Sequence, residues 1–387
     1  MISCNQEDVM SRISKSELHR RWQAVRQAMK DKSLDFLIMQ SSISIFDGNI
    51  KWFTDLSVND GYSVTLIFPR DDEMITISHG PMGVEPAPRG SSGVKKGINV
   101  PMLPTLANGF LHAEKVVSEL ATYKNCRIGF VGMSLISAQF YNAVTKQLTS
   151  ARFEDATDLV DAIKVIKSDE EISFIRETCW IQDKIFSHLL AQVKPGINTS
   201  ELNTEIIRKS LELGGDKYNI VVDPMQQKRG PPGPRVIQEG DQLAFLIETN
   251  GPSGYWGELS RTVCLGKISP ELQEQFGVAQ QAQKIALNLL KPGATPAEIW
   301  EANNAYLRTT RFGEERRIFA HGQGYDMVER PSLDLFETLK IQAGMNIVVH
   351  PEVKSEAARG WVCENYLVKA SGEKECLHQT PQKIFVV

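Results

Sequence analysis

Nowhere in this chain of 387 residues do five basic residues stand together, and 43 Lys and Arg against 47 Asp and Glu leave a net charge of −4. That removes the electrostatic footprint of a nucleic-acid binder. No apolar window reaches the roughly 18 residues needed to span a bilayer. The opening MISCNQEDVMSRISKSE lacks the apolar core of a secretory signal. Cys4, Cys126, Cys179, Cys264, Cys363 and Cys376 form no C-x-x-C pair. In a chain this long they are expected as reduced core or surface thiols and not as a disulfide framework. These absences predict a cytoplasmic protein that binds neither nucleic acid nor membrane.

What is present is a globular composition, 42% hydrophobic and 23% charged, with length enough for two domains. The first part alternates helix and strand signals. SELHRRWQAVRQAMKDKSL spaces Leu18, Trp22, Val25 and Met29 as one helical face after a Ser start. LDFLIMQ and CRIGFVGM read as buried strands, and YSVTLIFPRDDEMITISHG as two strands about an Asp-rich turn. This predicts an α/β domain over residues 1–155. Over 156–387, the stretch beginning SDEEISFIRET opens a long helix with Ser168 and Glu171 spaced as a capping box.

The second part repeats itself in outline. HLLAQVKPGINTSELNTEI returns as LNLLKPGATPAEIWEANNAYL, with the Lys-Pro-Gly triplets at Lys194 and Lys291, 291 − 194 = 97 residues apart. Each triplet separates two helical stretches and each unit then supplies paired strands. The order predicts one α+β domain with internal pseudo-twofold symmetry.

Suspicious polar residues sit at matching points of the two halves. The first half carries Glu248 and Glu258, the second His350 and Glu364, and His321 lies between them in FAHGQGYDMVERP. A lone strand glutamate is usually solvated. Glu248, however, follows LAFLI, a run without alternation that reads as buried on both faces. A carboxylate buried there needs a partner. Carboxylate and imidazole together suit manganese, iron, cobalt or zinc.

The landmarks EGDQLAFLIE, ELSRT, HGQG…ERP, AGMNIVVHPEV and CENYLV resemble the pita-bread family of methionine aminopeptidase, Xaa-Pro aminopeptidase, prolidase and creatinase. The first domain looks like the creatinase/prolidase-type N-terminal domain, with NIKWFTDLS in place of its usual N-x-x-Y-L-T-G stretch. The resemblance implies an α/β creatinase-type domain followed by an α+β pita-bread catalytic domain, and a homodimer. Family peptidases bind two metal ions through Asp, Asp, His, Glu and Glu. By motif those positions fall at Glu248, Glu258, His321, His350 and Glu364. Three of the five differ from the pattern, yet all five remain able to bind metal.

The departures shape the expected chemistry. Each Asp→Glu change lengthens an arm, and His350 removes a bridging carboxylate, so one divalent transition ion is expected in place of two, or a metal-free site. The family's substrate-facing histidine before the GD of this sheet is missing from QQKRGPPGPRVIQEGD, where Arg229 stands instead. Another, seven residues after the ligand histidine, is Val328. The resemblance therefore favours hydrolysis of a C–N bond in a small molecule. Glu364, if not committed to metal, would be the general base, and Arg229 the fork for a substrate carboxylate. Asp326 and Glu329 are further polar candidates. The alternatives are an Xaa-Pro aminopeptidase or dipeptidase, a metal-dependent lyase, and a non-catalytic binding protein of the same fold.

Overall fold

Ser14 accepts the backbone N–H of Glu17 at 3.1 Å and starts α1 (Lys15–Asp31), where Leu18, Trp22, Val25 and Met29 are all buried. Then come β1 (Phe36–Ser41), α2 (Gly48–Thr54), β2 (Val64–Pro69), β3 (Met74–His79), β4 (Val94–Val100), α3 (Gly109–Leu120), β5 (Arg127–Val131), α4 (Ala138–Gln147), β6 (Arg152–Asp155) and α5 (Thr157–Lys164). The strands form one mixed sheet in the order β4-β3-β2-β1-β5-β6. Central β1 is buried at every residue, as a strand covered on both faces must be. This computed structural model describes residues 13–81, 93–101, 109–224 and 234–387. The chain divides into two compact units, Met1–Lys164 and Val165–Val387.

The second unit opens with α6 (Asp169–Leu190), whose capping box closes as its sequence predicts, with Ser168 accepting from the Glu171 amide and Glu171 from that of Ser168. It continues through α7 (Thr199–Glu212), β7 (Tyr218–Pro224), β8 (Gln242–Asn250), β9 (Trp256–Cys264), α8 (Pro270–Leu289) and α9 (Pro296–Leu307). Short strands follow: β10 (Ala320–Gly322), β11 (Glu329–Ser332), β12 (Asn346–Val349), β13 (Glu352–Lys354), β14 (Arg359–Trp361), β15 (Glu364–Val368), β16 (Lys374–Cys376) and β17 (Ile384–Val386). Two half-sheets result, β17-β9-β8-β7 and β11-β10-β12-β15-β16.

The repeat is real at the level of single hydrogen bonds. Gly196 and Gly293, the glycines of the two Lys-Pro-Gly turns, both take left-handed backbone angles, φ 93° and 94°. The Gly196 N–H donates to the Ile237 carbonyl and the Gly293 N–H to that of Ile341, each at 2.8 Å. Two residues later, Asn198 and Thr295 each begin a helix with a capping box to Glu201 and Glu298.

The half-sheets join where the site lies. Ser260 on β9 bridges to Cys363 beside β15, the Glu258 amide donates to Asn365 Oδ1 at 2.8 Å, and the Trp256 amide donates to the Gly324 carbonyl at 2.8 Å. Both β8 and β9 are buried along their whole length, which the unbroken apolar run before Glu248 foretells. Among the described residues no helix is long and apolar enough to cross a membrane, and Cys126, Cys179, Cys264, Cys363 and Cys376 are free thiols.

Candidate metal centre

The β8–β9 hairpin pairs its strands in a register that sets Glu248 directly opposite Glu258, where cross-strand neighbours stand about 5 Å apart at Cβ. Both side chains are buried, and neither has a lysine or arginine ion-pair partner among the described residues. Neutral amides hold Glu248: Asn219 Nδ2 donates to Oε2 at 2.7 Å and Gln323 Nε2 to Oε1 at 3.2 Å. Glu258 receives the Cys363 thiol at 3.2 Å on Oε1, and its Oε2 lies 3.7 Å from His321 Nε2. Burial pushes the Glu258 carboxyl up to about 7. Burial, and then the charge of Glu258, push Glu248 well above the usual carboxylate range.

The second half brings imidazoles. His321 sits on β10, where Gly322 is needed because a Cβ there would stand 2.1 Å from the Arg330 carbonyl oxygen on the neighbouring β11. Its Nδ1 lies 2.8 Å from the Gly322 carbonyl. An N–H there donates to that oxygen, which leaves the Nε2 lone pair facing Glu258. His350 stands one residue beyond β12, its backbone tied by a 2.7 Å bond from its amide to the Phe319 carbonyl. The two rings meet edge to face with centroids 5.2 Å apart. Both His350 ring nitrogens are buried without a hydrogen-bond partner. Burial lowers the His321 pKa to about 4. Burial, with the charges of His321 and Arg317, drives His350 well below its ordinary value. Both rings are therefore neutral and offer lone pairs.

One ligand atom from each of Glu258, His321 and His350 lies within 4.8 Å of the others. Two imidazoles and one carboxylate, with an anchored Nδ1 behind one imidazole, are a donor set able to hold a metal ion. The orphaned His350 nitrogens are the clearest sign, since buried polar atoms are rarely left unpaired. The separation of His321 Nε2 from Glu258 Oε2 is too long for a hydrogen bond and close to that of two ligands each about 2.1 Å from a shared ion.

Of the other sequence candidates, Glu248 lies beside this trio across the hairpin. Glu364 is not among the three residues whose ligand atoms cluster, and both its oxygens have protein partners. Arg261 Nη2 pairs with its Oε1 at 2.9 Å, while Gln283, Gln382 and the Tyr366 hydroxyl donate to Oε2 at 2.8, 2.7 and 3.2 Å. Glu329 is spent on a buried ion pair with Lys167 at 2.7 Å, and Asp326 offers it a backbone amide at 3.2 Å. Val328 is exposed. Arg229 lies outside the described residues.

Four residues at the site went unread in the sequence. Gln323 links the halves, donating to Glu248 and accepting from Asn365 Nδ2 at 2.9 Å. Cys363 holds Glu258, and Arg261 holds Glu364. The fourth is Arg317, whose Nη2 lies 3.4 Å from the His350 carbonyl. Each sits within six residues of a candidate ligand, and that proximity was the only signal available.

Two pseudo-symmetric half-sheets, carboxylates from one and imidazoles from the other, following an α/β domain in the chain, define a pita-bread protein of the creatinase/prolidase type. The pattern of metallopeptidase family M24 matches residues 173–372, and that of the creatinase/prolidase N-terminal domain matches residues 21–166. The chain belongs to metallopeptidase family M24, and by that membership to the metal-dependent hydrolases of C–N bonds. It is 29% identical over 282 residues to an ectoine hydrolase of Halomonas elongata, covering 67% of this chain and 70% of that one. Its fold matches an X-Pro aminopeptidase from Thermotoga maritima with TM-score 0.79 at 17% identity, over 95% of this chain and 99% of the other. It also matches the N-terminal domain of the FACT complex subunit SPT16 from Cicer arietinum, TM-score 0.68 at 11% identity, over 95% and 97%. At such identities the structural likeness is one of fold alone.

Proposed function

We propose that this protein hydrolyses a C–N bond of a small amide or amidine at a mononuclear centre formed by Glu258, His321 and His350. The observation that carries this reading is the buried trio itself, with both His350 ring nitrogens unpartnered. A divalent ion held there would act as a Lewis acid and lower the pKa of water. The chain's own groups do the rest. Glu248, whose carboxyl burial and the facing carboxylate push above the usual range, would be the group that delivers a proton to the departing nitrogen, with Asn219 and Gln323 fixing its orientation. Glu364, paired with Arg261, serves as a structural carboxylate. The near-complete burial of the trio keeps bulk water from screening it.

Small substrates are favoured over peptides because two family histidine positions hold other residues, one of them Val328, and peptide hydrolysis needs donors for the developing oxyanion. The relative named ectoine hydrolase supports the same choice. The test is elemental mass spectrometry on protein purified without affinity metals or chelators, followed by product analysis with ectoine, Xaa-Pro dipeptides, and small amides, amidines and guanidino acids. About one transition ion per chain with turnover of a small C–N substrate is expected. Xaa-Pro cleavage above all other turnover would overturn the preference for small molecules, an alkene product would assign a lyase, and protein that stays metal-free after reconstitution would overturn the centre.

A further inference from the structure

We infer that Cys363 is a positioning residue for the metal centre: its thiol occupies Glu258 Oε1 and so leaves Oε2 as the one oxygen that this side chain offers to an ion. This rests on the centre proposed above and specifies how its carboxylate is presented. Cys363 is fully buried. Its Sγ lies 3.2 Å from Glu258 Oε1, while Oε2 of the same carboxylate lies 3.7 Å from His321 Nε2. The sulfur is not among the ligand atoms that cluster. A carboxylate that binds metal is ionised and has no proton to give. A thiol is ordinarily protonated at neutral pH, so the S–H donates and the carboxylate accepts.

The backbone aims the thiol. Cys363 bridges antiparallel to Ser260, and its carbonyl accepts the Ser260 amide at 3.3 Å and Arg261 Nη1 at 3.2 Å. Side chains alternate along a strand, so Glu258 and Ser260 share one face of β9 and Arg261 takes the other. Cys363 meets Glu258 on the first face; Glu364, next in the chain, meets Arg261 on the second. The sulfur's other acceptor is the Glu258 carbonyl at 3.6 Å. The carboxylate is nearer and charged, and a charge-assisted bond is the stronger. Holding one oxygen makes Glu258 a single-oxygen ligand. That suits a transition ion with few ligands better than calcium, which gathers about six to eight oxygens.

The experiment separates the donor from the bulk. Cys363→Ser keeps a donor, Cys363→Val keeps the bulk, and Cys363→Ala removes both. Cobalt(II) is titrated into each metal-free protein in competition with a chelating dye. Cys363→Ser should bind as wild type does, and Cys363→Val and Cys363→Ala about 10–100-fold more weakly, the scale on which a group that orients a ligand acts. Thermal midpoints of the metal-free proteins report the fold separately, and the contrast of Cys363→Ser with Cys363→Ala carries the test if Cys363→Val does not fold. Affinity lost in Cys363→Ser and kept in Cys363→Val would make the residue a packing group and overturn the inference. Equal affinity in all four proteins would overturn it too, with the centre left standing. A sulfur-to-cobalt charge-transfer band that disappears in Cys363→Ser would make the thiol a ligand and also overturn it. Wild-type protein that takes up no cobalt defeats the centre and the inference together. Donor-dependent affinity in a protein that turns over no C–N substrate upholds the inference and defeats the hydrolase reading alone.

Discussion

The two halves of the C-terminal unit share a scaffold and differ in chemistry. In each, a left-handed glycine turns the chain after a helix, and a capping box starts the next helix. In each, a helix glutamine holds a strand carbonyl next to a site residue: Gln182 Nε2 donates to the Thr249 carbonyl at 3.3 Å, and Gln283 Nε2 to that of Val349 at 3.0 Å. Yet the first half presents a facing pair of carboxylates, and the second two neutral imidazoles. Backbone geometry repeats because each half must bury the same kind of sheet under the same kind of helix pair. Site chemistry is free to diverge because it rests on single side chains projecting from that frame.

The largest test of this division acts on the imidazoles and the carboxylate together. His350→Ala or Glu258→Ala should remove the bound ion, seen by elemental analysis, and lower turnover about a thousandfold or more, the several kcal/mol that a metal supplies to a transition state. Retention of one ion per chain in both variants would mean that the trio is not the ligand set.

Next in size is the assignment of Glu364. Glu364→Gln should cost about 3–5 kcal/mol in urea unfolding because it strands a buried Arg261, while metal content stays at the wild-type level. Loss of the ion in that variant would restore Glu364 to the ligands and make the second half richer in carboxylate than its geometry shows.

Acid sensitivity should belong to the first half. Asp183 on α6 is pushed up by burial, but His378 and the Gln379 and Thr380 groups outweigh this and hold it at about 2. A folded pKa below the unfolded value of about 3.9 contributes stability that is full above pH 4 and disappears as pH falls through 2. The loss is about 2–3 kcal/mol. Asp183→Asn should flatten that limb of the stability–pH curve; an unchanged limb would place the acid sensitivity elsewhere.

The smallest effect probes the scaffold. Neither Gly196 nor Gly293 has another group within 4 Å of a built Cβ. Alanine at either therefore pays only for the left-handed backbone, about 1 kcal/mol. Equal losses in denaturant midpoint would confirm equivalent turns, and unequal ones would show that one half tolerates relaxation.

Much of this frame was legible because it depends on neighbours in sequence. The Ser168–Glu171 box closes within one turn of helix, the Lys-Pro-Gly triplets set local backbone angles, and the apolar run before Glu248 marks a strand with no wet face. The facing of Glu248 and Glu258 also follows from a short hairpin. Lys167 with Glu329, by contrast, spans 162 residues, and Glu364 finds Arg261 only where the half-sheets meet. Arg317, in the run EERR, reads as a solvated surface until β12 brings His350 alongside it.

The sequence by itself determined the two-domain order, the repeated halves and the residue types available to a metal, since helix periods, turn glycines and strand runs are local consequences of side-chain shape and hydration. Only the tertiary structure decided which of those residues meet. Burial and strand register join Glu258, His321 and His350, leave Glu248 beside them, and turn Glu364 toward Arg261. The reason is energetic: a buried carboxylate takes whatever cation or donor packing places within reach, and no spacing along the chain encodes that distance.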